Sequence, residues 1–446
     1  MSYSIPFNSK KLINRWAMYD WANSAFALVI TSAIFPTFFT NVSHTVAGVT
    51  DKTQKAYVHF LGGTFESNAL YNYALSLAFF ILMCMSPLLS GIADARGLKK
   101  RMMKTFCYLG SFASIMLLFF SSEYYWVGIV GIILGMIGYN GSIIYYNAFL
   151  PLITIEDNYD AVSARGYAFG YLGSVLLLII NLLMITFPNS FGLGGFEHPG
   201  AIACRISFAM VGVWWLGFSQ ITFRALPAEV EGEKVHHGYF RSGINTLRSV
   251  WDEIKHLKET RKYLAGFFFC AMALQTIMYI ATLYAKDEIR LNDTETIVMV
   301  LLLQFVGTLG ALLFARLSHT FGNIRIISLT VIIWIGVCIS AYLVTEKLPF
   351  FIIASCVGLV MGALQSLNRS TFSKLIPENS LSLSSYFSFL DVTEKGAITI
   401  GTLSTGLVTD ITGSLRNAIL MYSVCFLIAL FFYSRIKLPA RSETSA

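Results

Sequence analysis

Twelve apolar runs, each close to the 20 or so residues that cross a hydrocarbon layer as a helix, leave this chain few alternatives. They read 17–40, 70–92, 102–121, 124–150, 166–187, 204–223, 263–285, 296–315, 325–344, 349–372, 385–409 and 415–435. With 55% hydrophobic against 13% charged residues, the chain lies outside the composition of soluble domains, roughly 45–50% and 25%. Its mean hydropathy is +0.63. No water satisfies backbone groups inside a bilayer, so the runs must form helices. The fold class is therefore all-α integral membrane. The basic start (Lys10, Lys11, Arg15) leads into a run too long for a signal-peptide core, so the first helix is expected to stay uncleaved.

Charge then orients the spans. Most of the 32 Lys and Arg fall in alternate loops, including Lys99, Lys100, Arg101, Lys104, Arg224, Arg241, Arg248, Lys255, Lys258, Arg316, Arg325 and Arg435. That asymmetry predicts cytoplasmic termini. It accounts for the net charge of +7 without a nucleic-acid partner. Cys84, Cys107, Cys204, Cys270, Cys338, Cys356 and Cys425 lie in or at the ends of spans with no CxxC pair, and read as small hydrophobes. The seven His read as loop residues, so no catalytic or metal constellation is expected in the membrane, and no cofactor. A phosphate-cradling Gly-x-x-x-x-Gly-Lys-Ser/Thr is missing, which argues against an ATP-driven pump.

The chain reads as two halves. A charged turn, Gly91-Ile-Ala-Asp94-Ala-Arg-Gly97-Leu-Lys-Lys-Arg101, separates spans two and three. Gly97 permits a positive φ, and Asp94 suits the exposed amides of the next helix. After span eight, Arg316-Leu-Ser-His319-Thr-Phe-Gly322-Asn-Ile-Arg325 repeats it at a constant offset, with His319 in place of Asp94. Two halves of six spans, 1–226 and 263–446, carrying this repeat are what pseudo-symmetric six-helix bundles related about the membrane normal would give. A cytoplasmic linker, 227–262, joins them. In it Phe240, Ile244, Leu247, Trp251 and Ile254 recur at helical spacing beside Arg241, Arg248 and Lys255. This amphipathic helix is expected on the inner membrane surface, holding the bundles together, with a regulatory binding helix as the alternative.

Polar residues inside spans are the candidate sites. In span one Asp20, Asn23, Ser24 and Thr31 share one face, and an intramembrane carboxylate is costly unless it meets a cavity or partner. The bland reading of Asp20 is a hydrated interfacial group. Span four carries Asn140 and Asn147 on one face, with Gly128, Gly131, Gly135, Gly138 and Gly141 for close packing. The densest group is Gln365, Arg369 and Lys374 in span ten with Asp391, Glu394 and Lys395 in span eleven. Asp391 and Lys395, at i and i+4, can neutralise each other, leaving Glu394 to pair with Arg369 or to titrate. Such a group is either a substrate or proton site or an inter-helix latch. Gln275 and Gln304 add cavity candidates from spans seven and eight.

The turn at Asp94 resembles the second-to-third-helix loop of the major facilitator superfamily. Tyr19-Asp20-Trp21-Ala22-Asn23-Ser24-Ala25, Arg165-Gly166-Tyr167, Arg369-Ser370 and Asp391-Val392 together resemble its vacuole-effluxer-like branch. The resemblance covers nearly the whole chain. Named eukaryotic members export amino acids from the vacuole, and bacterial members are major facilitators of unknown substrate. The resemblance implies twelve helices in two bundles, alternating access for a small polar solute, a monomer in the cell inner (plasma) membrane, and a gate at Asp94, Gly97 and Arg101. In it Asp94 latches the first turn to the cytoplasmic end of span eleven. Proton coupling is expected through Asp20 or Glu394. An uncoupled uniporter or a non-transporting sensor of the same fold are the alternatives.

Overall fold

The computed structural model describes residues 5–50, 54–227, 239–377 and 380–438. The helices are α1 Lys10–Ala25, α2 Phe35–Ala47, α3 Ser67–Arg96, α4 Lys99–Met116, α5 Tyr125–Ala148, α6 Leu150–Ile153, α7 Tyr159–Thr186, α8 Pro199–Ala225, α9 Tyr239–His256, α10 Lys258–Asp287, α11 Asp293–Phe321, α12 Asn323–Leu343, α13 Lys347–Leu375, α14 Leu383–Thr412 and α15 Leu415–Tyr433. Among the described residues eleven elements are long and apolar enough to cross a membrane, the first being the continuous Lys10–Ala47. The remaining expected span is α14, 30 residues long, whose middle carries Asp391, Glu394 and Lys395. Large apolar side chains such as Phe80, Phe112, Val213, Phe305 and Leu407 are exposed, a surface suited to lipid rather than water.

The helices form two compact units: Met1–Asn147 with Phe169–Val235, and Ala148–Ala168 with His236–Ala446. The part of the linker at 228–238 lies outside the described residues, and its helix is observed as α9.

In the first unit, α1 and α2 are joined by a π-helical stretch, Phe26–Ile34. Its cause is local. Pro36 has no N–H and its ring crowds the carbonyl four residues back, so the chain widens before it. Ser32 Oγ donates to the Ala27 carbonyl at 2.9 Å, and Phe35 N reaches the Ile30 carbonyl. Phe35, Phe39, Tyr71, Phe120 and Tyr125 interlock with centroids 5.4–6.0 Å apart, fixing the span ends far from the Asp94 turn. A Cβ on Gly138 would overlap the backbone of Gly110, so the expected small-residue face of α5 packs directly on α4.

Two local structures depart from expectation. The first span runs on to Ala47, which takes His44 out of a loop and into a helix, where its ring bonds the Thr40 and Gln54 carbonyls at 2.9 Å. The segment after it folds as an antiparallel hairpin, β1 Tyr57–Phe60 with β2 Gly63–Glu66, through a turn with positive φ at Leu61 and Gly62.

In the second unit, α11 and α13 pack through glycines: a Cβ on Gly310 or Gly362 would strike the carbonyl of Leu359 or Gly307. Asn292 and Glu295 form a capping box that starts α11, at 2.8 and 2.9 Å. Trp334 stacks on Phe426, and Tyr263 on Phe267, inside the unit.

Candidate functional site

The first unit presents Asp20 near the middle of α1, almost wholly buried. Tyr146 of α5 donates its hydroxyl to Asp20 Oδ2 at 2.9 Å. Trp16, one turn earlier, stacks on the Tyr146 ring at 4.4 Å and donates Nε1 to the Tyr146 carbonyl at 3.3 Å. The tyrosine is thus held on the helix face that carries the carboxylate. Sequence reasoning missed Trp16 and Tyr146, since aromatic residues are common in apolar spans and nothing marks one as a carboxylate donor.

Asn23 is buried, with Oδ1 accepting from Ser24 at 3.5 Å and Nδ2 without a hydrogen-bond partner. A Cβ on Gly170 would sit 2.5 Å from Ser24 Oγ, so α7 approaches this polar stripe closely. Asn140 is turned onto its own helix, donating to the Met136 carbonyl at 3.0 Å. Asn147 stands one residue from the end of α5, half-buried.

At the Asp94 turn, Gly97 ends α3 in the left-handed conformation, φ 67°. The Asp94 side chain is buried and meets Lys99 across the turn at 3.3 Å. Lys100 reaches the Leu226 carbonyl at the end of α8, at 2.8 Å, where a cation suits the helix terminus. Arg101 is exposed.

In the second unit the charged residues of α14 come together. Lys395 Nζ lies 3.5 Å from Asp391 Oδ1 and 3.8 Å from Glu394 Oε2. Gln275 of α10 donates Nε2 to Glu394 Oε1, and Tyr279, one turn on, lies beside Glu394 and Lys395. Asp391 Oδ2 is buried without a hydrogen-bond partner. Two carboxylates therefore share one ammonium within α14, an excess of formal negative charge among these three residues. Gln304 of α11 is half-buried, its Oε1 unpartnered, and Gln365 of α13 is half-buried too.

Arg369 belongs to a different group. Its Nε donates to Ser163 Oγ at 2.9 Å, Nη2 donates to the Ser163 carbonyl at 2.7 Å, and its guanidinium covers the Tyr167 ring at 4.3 Å. Glu394 is held by Gln275 and Lys395 instead. Nearby, Asp160 on the first turn of α7 accepts from Lys374 at 2.8 Å, Asn323 at 2.6 Å and Ser318 at 3.1 Å. Asp160 was invisible as a site because span five read as starting at 166, whereas α7 begins at Tyr159. Ser318 and Asn323 flank the second charged turn, where Gly322 also takes a positive φ, 85°.

The model of the Atg22-like vacuole effluxers matches residues 8–444. The chain belongs to the Atg22-like vacuole effluxer family. It is 27% identical over 435 residues to the uncharacterized MFS-type transporter YxiO of Bacillus subtilis, covering 97% of this chain and 96% of that one. It is also 27% identical over 480 residues to autophagy-related protein 22 of Kluyveromyces lactis, covering 96% and 93%. Among solved structures it is similar to the Escherichia coli fucose:proton symporter FucP, at 15% identity and a TM-score of 0.68 over 96% of this chain and 98% of that one. The proton:xylose symporter XylE superposes with a TM-score of 0.69 at 12% identity, over 96% and 94%. This Atg22-like chain is thus a multi-pass membrane protein with the major facilitator fold, in the class of transporters and not of enzymes.

Proposed function

We propose that this Atg22-like protein is a secondary transporter that moves a small polar solute, amino acids foremost, by alternating access and with coupling to protons. The observation that carries the reading is the α14 cluster: Asp391 and Glu394 around Lys395, with Asp391 Oδ2 buried and unpartnered. An excess negative charge in a low-dielectric interior is unfavourable until a proton or a cationic group neutralises it. A cluster holding both signs also suits a solute with both. Asp20 supplies a third carboxylate, in the first unit, with Tyr146 as its donor. Asp94, Gly97 and Arg101 form the gate at the turn, and the halves 1–226 and 263–446 move about the linker 227–262. The protein works as a monomer in the cell inner (plasma) membrane, as its similarity to a bacterial MFS-type transporter suggests for the membrane; its basic loops support cytoplasmic termini.

Proteoliposomes loaded with labelled amino acids test this. Asp20→Asn, Asp391→Asn and Glu394→Gln are compared for exchange and for accumulation driven by a pH gradient. A proton-carrying position keeps exchange and loses driven accumulation. If all three variants accumulate like the parent, the carboxylates are structural and the protein is a uniporter.

A further inference from the structure

α9 uses only one of its faces for packing. Gly243, Val250 and Ile254 are buried within the second unit, and Trp251 stacks on Phe389 of α14 at 5.7 Å. The opposite face is exposed and carries Arg241, Arg248 and Lys255 at a spacing of seven. At 100° per residue these three fall within about 40° of arc, and Ile244 and Trp251 border them on one side. Ile244 and Trp251 are both exposed, at 39% and 48%. Lys255 Nζ stands 5.5 Å over the Trp251 ring and 2.9 Å from Asp252 Oδ1. Asp252, Asn245 and His256 border the row on its other side, and Glu253 is exposed beyond them.

The position of this face decides what it meets. α9 ends at His256, Leu257 breaks the helix with ψ 90°, and the membrane-crossing α10 begins at Lys258. A helix that stops one residue before a span lies at the bilayer surface. There an edge of Ile and Trp suits the acyl boundary, and a basic row suits the phosphates above it. We propose that Arg241, Arg248 and Lys255, bordered by Ile244 and Trp251, form a binding face for the headgroups of anionic phospholipids. Because Trp251 also rests on Phe389, two residues before Asp391, an occupied face braces the end of the helix that carries the charge cluster. The inference is independent of what the protein transports.

The test is native mass spectrometry of the full chain in detergent, titrated with phosphatidylglycerol and with phosphatidylcholine. The parent is expected to retain phosphatidylglycerol preferentially, less so at high salt. In Arg241→Gln/Arg248→Gln/Lys255→Gln that preference is expected to fall on the order of tenfold to a hundredfold, as three cations near an anionic surface predict. Arg316→Gln/Arg325→Gln, which neutralises exposed charge elsewhere, keeps it. All three α9 side chains are exposed, so the thermal midpoint stays unchanged; if the triple variant misfolds, Arg248→Gln alone carries a proportionate loss. Equal binding of the two lipids by the parent, or an unchanged preference in the α9 variants, would each overturn the proposal.

Discussion

Asp160 accepts from three donors on three helices, Ser318 of α11, Asn323 of α12 and Lys374 of α13, and Asn323 also bonds Thr371 at 3.0 Å. Lys374 donates in turn to Asn323 at 2.8 Å, so the buried ammonium and carboxylate are bonded to each other and to amide and hydroxyl groups. The first charged turn has its carboxylate within itself, Asp94 facing Lys99. The second has His319 at that place, exposed, and takes its carboxylate from α7. Breaking a buried pair leaves a charge with nothing to neutralise it, which costs about 3–5 kcal/mol. Asp160→Asn and Lys374→Met are each expected to lower stability by that order. Their double variant should lose less than the sum, with a coupling of about 1–3 kcal/mol. Denaturation of the four proteins in detergent measures the cycle. Single variants within about 0.5 kcal/mol of the parent, or strict additivity, contradict the account.

At the scale of elements, the far end of the second unit is closed by a comparable clasp. Arg416, at the start of α15, contacts Glu288 at 2.8 Å and donates to the Tyr342 carbonyl at 3.1 Å and to that of Val344, where a cation meets the C-terminus of α12. Glu288 also accepts from Ser414 Oγ at 2.8 Å and Leu415 N at 3.1 Å. Burial pushes the Glu288 carboxyl up, but the Ser414 and Arg416 donors outweigh it and hold the group below its ordinary value of 4.5. A depressed carboxylate stabilises the fold fully above its unfolded pKa, and that contribution disappears as pH falls through the folded value. Glu288 is therefore expected to leave the thermal midpoint independent of pH near neutrality and to let it fall below about pH 4.5. Glu288→Gln should start lower and lose that acid-side slope, read by melting at a series of pH values; an identical slope in the variant removes Glu288 from the explanation. None of this is legible in the sequence, because Glu288 and Arg416 sit at span ends with four spans between them. Hydropathy located the spans, and the charged α14 was found because its neighbours frame it. The hairpin at 57–66 was not found, since Leu61-Gly62 is a weak turn signal and its strands have four residues each. Nor was the π-helical stretch, which depends on how Pro36 is accommodated rather than on any periodicity.

For the molecule as a whole, orientation rests on an energetic bias summed over many loops, so it is tested by accessibility and not by any one contact. The basic bias predicts the turn at Lys99, Lys100 and Arg101, the α9 row and Arg435 on the cytoplasmic side, with Arg290 and Lys347 outside. The structure refines where to probe. Val250, in the middle of α9, is buried and would stay unlabelled on either side, whereas its neighbour Ser249 is exposed, as is Arg290 between α10 and α11. The background must lack the native cysteines, Cys84 and Cys356 above all because they are exposed. In intact cells a membrane-impermeant maleimide is expected to label Arg290→Cys and to spare Ser249→Cys, and permeabilised cells should label both. Modification of Ser249→Cys from outside with Arg290→Cys protected would invert the topology. It would also move the α9 row to the outer leaflet, and with it the membrane surface that its arginines meet.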